Sequence, residues 1–116
     1  MSNRRSIMRY VLFICNDPTG EPYDAEQDDV GQWVEALQAS GSYVLGDRLR
    51  PVEDATTVRV RAGERIVADG PFTESREWIA GFDIVEADDL DAAIAIAARH
   101  PMARFGLVEV RPVWPF

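Results

Sequence analysis

One cysteine and one histidine in 116 residues leave no internal disulfide, and any metal ligand set would have to be completed by carboxylates alone. No EF-hand loop and no His-x-x-x-His spacing occurs, so neither a metal centre nor a cofactor is expected. Positive charge is scarce as well. Twelve basic residues face 20 acidic ones, and a net charge of −8 argues against unspecific binding to nucleic acid or to an anionic membrane. Long apolar runs are missing: Tyr10 to Cys15 is too short for a signal-peptide core and far too short to span a bilayer, although three arginines precede it. A lone Cys15 fits a reducing compartment, and a cytoplasmic protein is expected. No polar or repetitive tract suggests a disordered tail, so residues 1–116 are expected to form a single domain whose one core would gain from a partner subunit.

What the chain does have is clear punctuation. Met8 to Cys15 is a continuous apolar run that reads as a strand buried on both faces. A Pro- and Gly-bearing loop, Asn16 to Pro22, leads to a helix from roughly Asp24 to Ser40. Its stripe is Val30, Trp33, Val34 and Leu37, and Gly41 stands where a left-handed terminal residue belongs. Ser42 to Leu49 has room for a short strand at Tyr43-Val44-Leu45. Thr56 to Arg61 and Glu64 to Asp69 flank Ala62-Gly63, the pattern of a β-hairpin with a two-residue turn. Thr73 to Ile79 reads as a short helical turn anchored by Trp78, followed by a strand from Gly81 to Glu86. Asp88 caps a second helix with Asp91 in its first turn and Leu90, Ala93, Ile94 and Ala97 as its buried stripe. Pro101 ends that helix, and Leu107 to Val113 is the last strand. Strand, helix, hairpin, strand, helix, strand predicts an α+β domain, a ferredoxin-like antiparallel sheet with two helices on one face. The bare face of that sheet is most simply covered by a second copy, as a homodimer.

The densest local signal is Asp69-Gly70-Pro71-Phe72-Thr73-Glu74, an acid followed by a residue free to take positive φ, one with φ locked near about −65°, and an aromatic that can bury its ring. With Gly81 to Asp91 and Val108 to Val113, this hexapeptide resembles the DGPF-domain branch of the YCII-related family over nearly the whole chain. The resemblance implies a dimeric α/β barrel. It also implies an acid–histidine pair with the histidine on the first helix, but here Gln32 and Trp33 occupy the middle of that helix and no histidine is present, so the pair does not carry over. DGPF-like domains are often encoded beside extracytoplasmic-function sigma factors, which implies a regulatory partner by association.

Candidate chemistry rests on few side chains. Asp69, fixed by the corner, is either a partly desolvated general base or an acid that closes a turn through backbone hydrogen bonds. His100 is the one side chain that ordinarily titrates near neutrality; it is either a helix-terminal cap favoured in its protonated form or, close to Asp69, half of a proton-shuttling pair. Thr73 caps the short turn, and Glu74 is a surface residue. Strand alternation, with Phe82 and Ile84 turned to the helices, sends Asp83 to the bare face alongside Arg111. Arg59, Arg61 and Arg65 of the hairpin join them, with Phe72 beside the corner. That set either lines a dimer cleft for a small polar ligand or makes surface ion pairs of about 0–1 kcal/mol each. Cys15, Trp33, Trp78 and Phe82 read as core before they read as nucleophile or stackers.

Two functions from different classes follow. One is a small-molecule-binding or weakly catalytic dimer that moves a proton through Asp69 and His100. The alternative is an accessory module bound to a basic partner such as a sigma factor, for which the charge of −8 is suited.

Overall fold

The computed structural model describes residues 7–70 and 78–114. Among these residues six strands and three α-helices follow one another as β1 (Met8–Asn16), α1 (Val30–Ser40), β2 (Tyr43–Arg48), β3 (Thr56–Arg61), β4 (Glu64–Asp69), β5 (Trp78–Ala87), α2 (Leu90–Ala98), α3 (Met102–Phe105) and β6 (Leu107–Pro112). Four strands make one sheet in the order β2-β5-β1-β6, every neighbouring pair antiparallel. The hairpin of β3 and β4 is a separate two-stranded sheet, so the edge position beside β5 falls to the Tyr43 strand. Among the described residues no helix is long and apolar enough to cross a membrane.

One face of the four-stranded sheet carries the core. Tyr10, Leu12 and Ile14 of β1 and Val85 and Ala87 of β5 pack against Trp33 and Leu37 of α1 and Ala93 and Ala97 of α2. Tyr10, Leu12 and Val85 are sealed from solvent, a large transfer gain for a small domain. β1 is thus buried on one face only; Val11 and Phe13 on its other face keep partial exposure. The body is a slab whose shortest dimension is 20 Å, the depth of one sheet and one helix layer.

Local chemistry accounts for the boundaries that differ from the sequence expectation. α1 begins at Val30, because Asp24 bonds the Glu26 amide at 3.0 Å and closes a short 3-10 turn, Ala25–Gln27, before the helix. The α1 stripe is as expected, and Gly41 ends it at φ 76°. Asp89, not Asp88, caps α2, its carboxylate accepting from the Ala92 amide at 2.8 Å. Of the expected α2 stripe, Ala93 and Ala97 are buried, while Leu90 and Ile94 are about half exposed. β5 begins at Trp78, so Trp78 and Ile79 are strand where a helical turn was expected. Phe72, Thr73 and Glu74 lie outside the described residues.

Replacing Asp89 by Ala removes that cap and is expected to cost about 1 kcal/mol, seen as a lower urea midpoint. An unchanged midpoint would show that α2 does not depend on this residue.

Candidate functional site

Alternation along β5 runs opposite to the expectation from hydrophobicity. Gly81, Asp83, Val85 and Ala87 face the helices, and Phe82 and Ile84 face away. The reason is volume. The rings of Trp33, Tyr43 and His100 crowd the helix side, so β5 offers small residues there and sends its bulky ones to the bare face. Asp83, expected on the bare face, is therefore buried in the core layer at 8% exposure, opposite Leu12 on one side and Gly46 on the other.

Three residues surround its carboxylate. Tyr43 of β2 donates its hydroxyl to Oδ1 at 2.9 Å. Gly46 supplies the floor: a Cβ there would fall inside contact distance of Asp83 Oδ1, the Tyr43 hydroxyl and the Phe82 carbonyl, so only glycine leaves room for the acid. His100, two residues past α2, places Nε2 3.9 Å from Oδ2. That separation is longer than a hydrogen bond and within reach of a small shift. Trp33 stands edge-on to both rings, with centroids 4.7 Å from His100 and 6.3 Å from Tyr43. It is pinned by donating its indole N–H to the Ile96 carbonyl at 3.0 Å.

His100 is 5% exposed, and it does not cap α2. Its Nδ1 accepts the backbone N–H of Met102 at 3.0 Å, at the start of α3. With Nδ1 committed as an acceptor, the neutral ring carries its proton on Nε2, the nitrogen that faces Asp83. Burial pushes the imidazole pKa below its ordinary value, with Asp28 and Asp29 opposing, so the protonated helix-end histidine expected from sequence is corrected to a neutral ring. Burial likewise drives the Asp83 carboxyl up, to about 6, against the lowering effect of the Tyr43 hydrogen bond. Tyr43 itself is pushed up to about 12 by desolvation and by Asp83, so it remains a donor throughout the physiological range.

The other sequence candidates lie elsewhere. Asp69 ends β4 at the root of the separate hairpin, exposed and paired in register with Thr56; the acid that faces His100 is Asp83. Arg59, Arg61 and Arg65 are exposed on that same hairpin. Arg111 lies on the bare face, bonded to Glu109 at 2.6 Å with its guanidinium 5.8 Å from the centre of the Phe13 ring. The charges expected to gather in one cleft are thus divided among the core, the hairpin and the bare face. Phe72 falls outside the described residues. Among the described residues no group of three or more His, Cys, Asp or Glu could hold a metal. A cavity of about 300 Å³ between α2 and β6 is lined by residues such as Ile94, Ala97, Leu107 and Val110. Its lining includes no titratable side chain. Tyr43 and Gly46 were the residues missed; the signal for them is a tyrosine and a glycine three apart, across the sheet from a strand acid.

The YCII-related domain matches residues 8–116 of this chain. Over 114 residues the chain is 43% identical to an uncharacterized protein of Rhizobium meliloti (strain 1021), covering 91% of this chain and 92% of that one.

Two outcomes check the site. The folded state keeps the Asp83 proton up to about pH 6, whereas the unfolded chain loses it near 3.8, so this group lowers stability as pH rises through that interval and changes nothing further above it. Asp83→Asn is therefore expected to gain on the wild type between pH 4 and pH 8, by at most about 3 kcal/mol. Paired urea titrations whose difference stays constant with pH would contradict the desolvated carboxyl. Gly46→Ala is expected to cost about 1–3 kcal/mol by overpacking against the same carboxylate, and a Gly46→Ala protein as stable as wild type would remove the floor from the account.

Proposed function

This chain belongs to the YCII-related domain family, and from that premise we propose that it binds a small molecule and moves a proton on it without a cofactor, Asp83 serving as the base and His100 as its partner. The observation that carries this reading is the buried, unneutralised juxtaposition of a carboxylate and an imidazole 3.9 Å apart. A carboxyl pushed up to about 6 keeps enough basicity to take a proton near neutrality, and it is largely ionised there. The neutral imidazole offers its Nε2–H to the oxygen on which charge develops. Tyr43 holds the carboxylate, and Trp33 keeps water from the ring faces. This replaces Asp69 as the acid of the pair. It keeps His100.

The protein acts as a homodimer in this reading. The strand order β2-β5-β1-β6, with helices on one side, supports a ferredoxin-like reading of the domain. Its bare face presents Val11, Phe13, Ile84 and Leu45 in neighbouring register, bordered by the Arg9–Glu86 and Arg111–Glu109 pairs. An apolar centre inside a charged rim suits an isologous contact, as in a dimeric α/β barrel. The Asp69-Gly70-Pro71-Phe72 run supports placement in the DGPF branch.

The test is deuterium exchange by proton NMR at activated C–H positions of a panel of small carbonyl compounds in D₂O. Wild type is expected to accelerate exchange of at least one compound, Asp83→Asn to lose about 10²–10⁴-fold, and the rate to rise with pH to a plateau above about 6. Equal rates for wild type and Asp83→Asn would reject Asp83 as the base.

A further inference from the structure

The hairpin of β3 and β4 stands off the body as an arm. Its tip, Ala62-Gly63, takes left-handed φ values of 51° and 78°, the turn that twists two strands together. Its root is closed at Gly70, φ 94°, whose N–H donates to the Ala55 carbonyl and whose own carbonyl accepts from Thr57 Oγ1, both at 2.7 Å. The Asp-Gly corner is thus the hinge post of the arm. Among the described residues of its two strands, Thr57 alone is half-buried and the rest are exposed.

A two-stranded hairpin is at best marginally stable by itself in water, and this one is poorly suited to stay bare. Register places Val58 opposite Val67 and Val60 opposite Arg65, so three valines share one face, each about 60% exposed. Ile66 adds to the other face. The radius of gyration is 16.8 Å, against about 13 Å for a compact chain of some 100 residues. Charge says what the arm meets. It carries Arg59, Arg61 and Arg65 against Glu64 and Asp69, a net positive element on a chain of −8. The chain has no lysine, and arginine is the cation suited to paired contacts with carboxylates at an interface. The surface complementary to a basic arm with an apolar face is the acidic body of the same protein.

We infer that the arm is a clasp that closes over a second copy of this chain, its valine face against the partner's body and its arginines against the partner's acids. The inference rests on the self-association proposed above and on nothing in the Asp83 site. Six-residue strands span about 20 Å, enough to pass the rim of a sheet-to-sheet contact and reach the partner's flank.

Hydrogen exchange of the unmodified protein, read by mass spectrometry above and below the dimer dissociation concentration, tests it directly. Amides of residues 56–69 are expected to exchange slowly in the dimer and fast in the monomer; arm exchange that ignores concentration overturns the clasp. A Val58→Ser, Val60→Ser, Val67→Ser variant is expected to weaken self-association about tenfold or more with an unchanged circular dichroism spectrum. Leu45→Asp, at an exposed position of the bare sheet face, separates the two readings. Loss of dimer with Leu45→Asp but not with the serine variant discards the clasp and leaves sheet pairing intact. Loss with the serine variant alone keeps the clasp and discards sheet pairing. A wild type that is monomeric at every concentration ends both.

Discussion

A carboxylate buried in the apolar layer of this sheet is the constraint to which its neighbours are fitted. A charge in such a place is expensive unless it is bonded or loses its ionisation, and Asp83 does some of each: it accepts the Tyr43 hydroxyl, and burial raises its proton affinity. The cost reaches outward. Gly46 gives up a side chain so that the acid fits, β2 makes an irregular step between Tyr43 and Leu45 as it pairs with β5, and Trp33 is anchored to the backbone of α2 to wall the site. Structural economy alone would put an aliphatic residue at position 83. That expense is what the proposal of Asp83 as a base draws on.

The second organising fact is the separation of two polar systems that the sequence runs together. Acids and arginines around β3, β4, β5 and β6 are close in the chain, yet the fold sends Asp83 inward, Glu109 and Arg111 to the bare face, and Arg59, Arg61 and Arg65 out along the arm. The inner system is dry and contains ionisable groups of perturbed basicity. The outer ones are wet and suited to recognition. Substitutions in one system are therefore expected to leave the other's stability contribution largely unchanged.

Much of the fold was legible because it follows from periodicity and punctuation. The Val30, Trp33, Val34, Leu37 stripe and Gly41 terminus, the hairpin about Ala62-Gly63 and the first strand all match their expectations within a residue or two. What misled was the assumption that the bulkier residues of β5 must face the helices. Phe82 and Ile84 are the more hydrophobic pair, but the space beneath α1 and α2 is already filled by three rings, and only Gly, Asp, Val and Ala fit there. The acid beside His100 was sought at Asp69, because proximity between positions 83 and 100 is a property of the folded sheet and helix, not of spacing along the chain. The cap moved by one residue, from Asp88 to Asp89, since two adjacent aspartates offer the same side chain and the backbone decides between them.

One small contact has a wide reach. Because the Met102 amide occupies Nδ1 of His100, the imidazole cannot exchange tautomers without breaking the start of α3, and its outward nitrogen is fixed in one sense. Asp83, facing it, has the opposite sense. At 3.9 Å the two leave no room for a third atom between them, so the pair is a contact with a direction: the helix side carries the hydrogen and the strand side the lone pair. Which of the two groups gives and which receives is thus written into a backbone amide on the far side of the ring.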